Sequence, residues 1–126
     1  MKLHLQRPGD QNQITSYAPG ELRINDNVYQ RSLIVAPRWM QADWAPQTFE
    51  ELQSDSFAEI IQHRPEIVLL GTGRRLRFPA PAVLGQLRAT GSGIEVMDTT
   101  SACRTYNILM GEDRDIVAAL LMIELA

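Results

Sequence analysis

The chain has 126 residues, 44% of them apolar and 21% charged, the balance of one globular domain spanning residues 1–126. Its net charge of −3 argues against general affinity for nucleic acid, and no apolar run reaches membrane-spanning length. One cysteine, Cys103, excludes an internal disulfide, and the N-terminus lacks a signal-peptide core, so a reducing, cytoplasmic setting is expected.

The first half reads as β structure. Lys2-Leu3-His4-Leu5-Gln6 alternates apolar and polar residues, as a half-buried strand does. Glu21–Ile24 and Val28–Val35 flank Asn25-Asp26-Asn27, good chemistry for a tight hairpin turn. Ile24, Val28, Leu33 and Val35 are assigned to the core. Residues 36–47, with Pro37, Pro46, Trp39 and Trp44, read as an ordered loop. The two tryptophans are either a lid over the core or a wall of a pocket; large aromatics bury themselves, which favours the lid. A helix is expected from Thr48, because Thr48-Phe49-Glu50-Glu51 has the form of a capping box. Phe49, Leu52, Phe57, Ile60 and Ile61 fall near one face of it. Ser56-Phe57-Ala58-Glu59 is an alternative start that would split this segment in two.

The second half reads as βαβαβ. Glu66–Leu70 is an apolar, β-branched strand of the kind covered on both faces. A short helix follows, with Pro81 near its first turn and Gly91 at its end. Gly93–Asp98 is the next strand. Residues 99–111 form a helix capped by Thr99, Thr100 or Ser101 and closed by Gly111. Residues 114–125 are almost continuously apolar, a pattern that periodicity cannot divide between strand and buried helix. A strand is expected there, because the turn before it is short and the sheet needs a central member. The fold class is therefore α/β: a three-layer domain with a mixed central sheet and an N-terminal hairpin region.

Gly71-Thr72-Gly73 after an apolar strand raises the question of a phosphate site. The dinucleotide fingerprint needs a third glycine where Leu76 stands, and Pro79 and Pro81 disfavour the helix that should open there. The Walker loop needs a Gly-Lys pair that is absent. Turn formation is the simpler duty of these glycines. Ligands of open α/β sheets nevertheless sit beyond the carboxyl ends of parallel strands. Two such ends, Gly71–Gly73 and Asp98–Ser101, would share a crevice lined by Thr72, Gly73, Arg74, Arg75, Asp98, Thr99 and Arg104. Arg104 near a helix N-terminus opposes the macrodipole and wants a partner. Asp98 is one candidate; a bound oxyanion is the other. Cys103 has no imidazole at motif spacing, no cluster offers four zinc ligands, and no serine lies in a nucleophile elbow. No catalytic residue, cofactor or metal is assigned.

Charge is unevenly placed. Residues 41–63 carry five acids and no Lys or Arg, whereas residues 64–111 carry six arginines against three acids. The arginines lack interleaved aromatics of the kind that stack bases.

Pro65-Glu66, Gly71-Thr72-Gly73, Phe78-Pro79, Pro81, Gly93, Glu95, Met97-Asp98-Thr99, Ala102, Arg104-Thr105-Tyr106-Asn107 and Ala118-Ala119 resemble a known group of small domains. It contains the adipogenesis-associated domain protein and mitochondrial complex I assembly factor 3, with many bacterial members of unknown function. Ile14, Tyr17, Gly20, Ile24, Tyr29 and Ser32 match more loosely. The resemblance implies a three-layer α/β domain whose central sheet has one antiparallel strand. It implies no enzyme activity. Two functions are expectations: a non-catalytic protein-interaction or assembly module, with Trp39 and Trp44 as candidate contact residues, or a binder of a small anion in the crevice above, an unrecognised enzyme included.

Overall fold

The computed structural model describes residues 11–125, so the expected strand over Lys2–Gln6 lies outside the described residues. In chain order come β1 (Ile14–Ala18), β2 (Glu21–Ile24), β3 (Asn27–Tyr29), β4 (Leu33–Ala36) and β5 (Trp39–Gln41). Then follow α1 (Ala58–His63), β6 (Ile67–Gly71), α2 (Pro81–Arg88), β7 (Gly93–Met97), α3 (Thr99–Gly111) and β8 (Ile116–Leu120).

Two sheets result: β1-β2-β3, antiparallel, and a mixed five-stranded sheet in the order β5-β4-β8-β6-β7. In the second sheet β6 pairs in parallel with β7 and β8, while β4 runs against both its neighbours. The last apolar segment is thus the central strand, as expected.

Alternation along the inner strands feeds two cores. Leu33, Val35, Leu69, Ile116, Ala118 and Leu120 face α3 and the small sheet, joining Ile14, Leu22, Ile24, Ala102, Cys103 and Tyr106. Ile34, Ala36, Val68, Leu70, Val117 and Ala119 face the opposite side, joining Trp44, Leu52, Phe57, Ile60, Leu84 and Leu87. Burying a side chain of this size contributes about 2 kcal/mol. These alternating faces explain why the strand runs are continuously apolar.

Four expectations are corrected. First, the run Val28–Val35 divides: β3 stays in the small sheet and β4 crosses to the large one, and Val28 is 44% exposed. Asn25 takes the left-handed backbone that the two-residue turn requires (φ 53°). Second, the loop over residues 36–47 contains β5, joined to β4 across Pro37-Arg38. Third, no single helix starts at Thr48. Its side chain caps nothing; two 3-10 turns, Phe49–Glu51 and Ser54–Phe57, precede the six-residue α1. Glu51 accepts instead from the Gln47 backbone N–H (2.7 Å), and Leu52 turns extended to enter the core. The split anticipated near Ser56 does occur, with the Ser56 hydroxyl accepting from the Gln53 N–H (3.0 Å). Fourth, the cap of α3 is Asp98, whose carboxylate accepts from the Ser101 N–H at 2.8 Å.

Candidate functional site

The carboxyl ends of β6 and β7 meet at one rim, and Gly73 and Thr99 lie side by side there. The Thr99 hydroxyl accepts from the Gly73 N–H (2.8 Å) and donates to the Leu121 carbonyl (2.7 Å). The Thr99 N–H donates to the Gly73 carbonyl (2.9 Å), and the Leu121 N–H to that of Gly71 (3.0 Å). Thr99 is fully buried. A Cβ on Gly71 would stand 2.9 Å from the Thr99 hydroxyl, so glycine is what lets α3 approach β6 this closely. Gly73 takes a left-handed conformation (φ 96°).

Some of the groups that suggested an anion site are engaged inside the chain, while the Arg74 and Arg75 guanidinium groups are not. Asp98 takes the amide of Ser101. The Arg74 N–H donates to the Glu124 carboxylate (2.6 Å) from the C-terminal segment. That carboxylate fills the space a Gly73 Cβ would need, 2.5 Å away. A carboxylate of the protein itself thus stands beside the Gly-Thr-Gly turn. Arg104 makes no ion pair with Asp98; its Nε donates to the Tyr17 hydroxyl on β1 (3.2 Å). Tyr106 and Asn107 of the same block are likewise bonded within the chain. The Tyr106 hydroxyl donates to the Asn12 carbonyl (2.7 Å). Asn107 accepts from the Ile14 N–H (3.0 Å) and donates to the Ile14 carbonyl (2.7 Å), pairing with β1 as another strand would. Burial pushes the Tyr106 hydroxyl's pKa up, and burial, then the Asp98 charge, push the Cys103 thiol up to about 12. A thiol so protonated is a poor nucleophile. Among the described residues no His, Cys, Asp and Glu side chains cluster as a metal site.

Thr72 is buried and organises the loop that follows. Its hydroxyl donates to the Arg75 carbonyl (2.6 Å) and accepts from the Arg77 N–H (3.2 Å). Arg77 then reaches Glu50 (2.7 Å) and lies 4.1 Å over the Phe49 ring. Its hydrogen bond holds the Glu50 carboxyl below the ordinary range. These ties leave Arg74 and Arg75 exposed, with Leu76 49% and Phe78 71% exposed between them and Pro79. An apolar pair on a pinned loop was not singled out from sequence, because a Phe between arginine and proline is as compatible with a core as with a surface. The candidate tryptophans differ from it. Trp44 is 2% exposed and donates its indole N–H to the Ser56 carbonyl (2.8 Å), so it is a lid. Trp39 is half-buried, stacked on His63 with ring centroids 3.8 Å apart. A cleft of about 550 Å³ lies beside Trp44, lined by Gln41, Glu51, Asp55 and Glu59 among others, and shares no lining residue with Gly71–Gly73 or Asp98–Ser101.

A family model described as "Protein of unknown function (DUF498/DUF598)" matches residues 14–121. The chain belongs to that family. A zebrafish (Danio rerio) member, NADH dehydrogenase (ubiquinone) 1 alpha subcomplex assembly factor 3, is 33% identical over 109 residues. The match takes in 86% of this chain and 63% of that protein, so the chain spans under two thirds of this relative. The 13 kDa major membrane protein of Francisella tularensis is 27% identical over 101 residues, 79% of this chain and 82% of its own. A crystal structure of a Bordetella parapertussis protein superposes with a TM-score of 0.84 at 35% identity, covering 92% of this chain and 99% of that one. The family fold is therefore the fold described above. Among the described residues no helix is long and apolar enough to cross a membrane.

Proposed function

We propose that this chain is a non-catalytic docking domain of the assembly-factor type, and that the loop from Arg74 to Ala80 is its partner-facing element. The observation that carries this is Phe78, 71% exposed on a loop fixed from beneath by a buried threonine. Leaving Phe exposed forgoes about 2 kcal/mol of burial. An exposed aromatic on a loop whose backbone is tied down is suited to anchoring, because less backbone freedom is lost when a partner covers it. The assembly-factor name of the zebrafish relative supports a role through protein contacts. A lone, buried thiol supports a reducing, cytoplasmic setting.

The test is affinity capture from the native host with the wild-type chain and with Phe78→Ser, followed by quantitative mass spectrometry. Phe78→Ser should lose a protein that the wild type captures, with an affinity loss of about 2 kcal/mol or more, as for truncated anchors elsewhere. Its thermal midpoint should stay close to wild type, since the side chain packs on little. Identical capture by both proteins would show that Phe78 docks nothing.

A further inference from the structure

The loop also carries information about its partner's chemistry. Arg77 is neutralised by Glu50 and covered on one face by Phe49. Arg74 and Arg75 are exposed and, among the described residues, have no carboxylate within ion-pair distance of their guanidinium groups. Glu124, the nearest acid in the hydrogen-bond network, is turned to the Arg74 backbone N–H. Among the described residues, two guanidinium forks without an acidic partner thus share one loop with the exposed Leu76 and Phe78, on a chain whose net charge is −3. A local cationic, apolar surface on a chain of net negative charge favours an acidic partner at this loop, since net charge alone gives such a partner no general attraction.

Resting on the docking function proposed above, we infer that the loop recognises a protein segment in which an apolar side chain is flanked by carboxylates. The apolar residue covers Phe78 and Leu76, and the carboxylates take the forks of Arg74 and Arg75, a geometry suited to bidentate pairing. An anionic membrane offers related chemistry. The assembly-factor relative and the small extent of the apolar surface, two side chains on one loop, favour a protein segment.

Fluorescence polarisation with three synthetic peptides tests this. Each is twelve residues long with a central Leu-Phe pair, flanked by Asp and Glu, by Asn and Gln, or by Lys. The acid-flanked peptide should bind at least ten-fold more tightly than the amide-flanked one. The advantage should disappear at 300 mM salt and in an Arg74→Gln, Arg75→Glu double variant, while Phe78→Ser should weaken both peptides. Equal binding of acid- and amide-flanked peptides, with Phe78→Ser still weak, would overturn the acidic preference and leave the docking function standing. If Phe78→Ser binds all peptides as wild type does, the docking function itself fails. Preference for the Lys-flanked peptide, or binding to none at millimolar concentration, also overturns the inference. Cosedimentation with phosphatidylglycerol vesicles that depends on Phe78, without peptide binding, would replace the protein segment by a membrane surface.

Discussion

Thr99 shows how much one small side chain can hold. Its hydroxyl joins the end of β6 to the segment after β8, and both groups it serves, the Gly73 N–H and the Leu121 carbonyl, are inside the protein. Thr99→Val keeps the shape and removes both bonds. It should cost about 2–4 kcal/mol, because two buried groups are left without partners. Thr99→Ser, which keeps the hydroxyl, should cost much less; urea midpoints of the two variants make the comparison. Cys103 gives a prediction on pH. Its thiol is raised to about 12 in the fold, against an ordinary value of 9.0. Below pH 9 both folded and unfolded thiols are protonated and the full stability is present. Between 9 and 12 the unfolded thiol ionises while the folded one does not, so stability falls as pH rises. Tyr106, raised for the same reason, adds to the loss at higher pH. Stability measured from pH 8 to 11 should fall less steeply in Cys103→Ala.

Among the elements, those of the second half were legible and β1 was not. β6 and β8 are buried on both faces, so runs of four and five successive apolar residues announce them. Pro81 marks the start of α2 as expected. β1 buries only Ile14 of its five residues and is held by the Asn107 side chain, ninety-three positions away. Nothing local could indicate that. Asn107→Ala should speed hydrogen exchange at Ile14 and its neighbours in β1 while leaving β6 protected, which amide exchange followed by NMR would show. The segment after Thr48 was misread for a related reason: the capping-box letters are present, but Glu51 finds the Gln47 N–H and Leu52 is drawn into the core. At the rim, the adjacency of Gly73 and Thr99 followed from strand order and turn chemistry. The occupant of the Gly-Thr-Gly turn did not, since Glu124 comes from fifty residues beyond Arg74.

At the scale of the molecule, the large sheet is a wall between two cores, and the same three strands build both. β8 sends Ile116, Ala118 and Leu120 to one side and Val117 and Ala119 to the other. Neither core can open without losing strands of the other, so residues 11–125 should unfold as one cooperative unit. Trp44 reports on one core by fluorescence, and far-ultraviolet circular dichroism reports on all the helices and strands. Their urea transitions should coincide; separated midpoints would show that the two faces melt independently. The alanines of β8 leave little slack. Ala118→Leu or Ala119→Leu should each destabilise by about 1–3 kcal/mol through overpacking, from opposite sides of the wall. The sealed position of Cys103 gives this architecture a built-in stopwatch. The protein's sole sulfhydryl sits on the buried face of α3 with no surface in contact with water, so a thiol reagent must wait for that helix to lift from the core. The colour change of that reaction therefore times the opening of the intact molecule, with no label introduced by mutation.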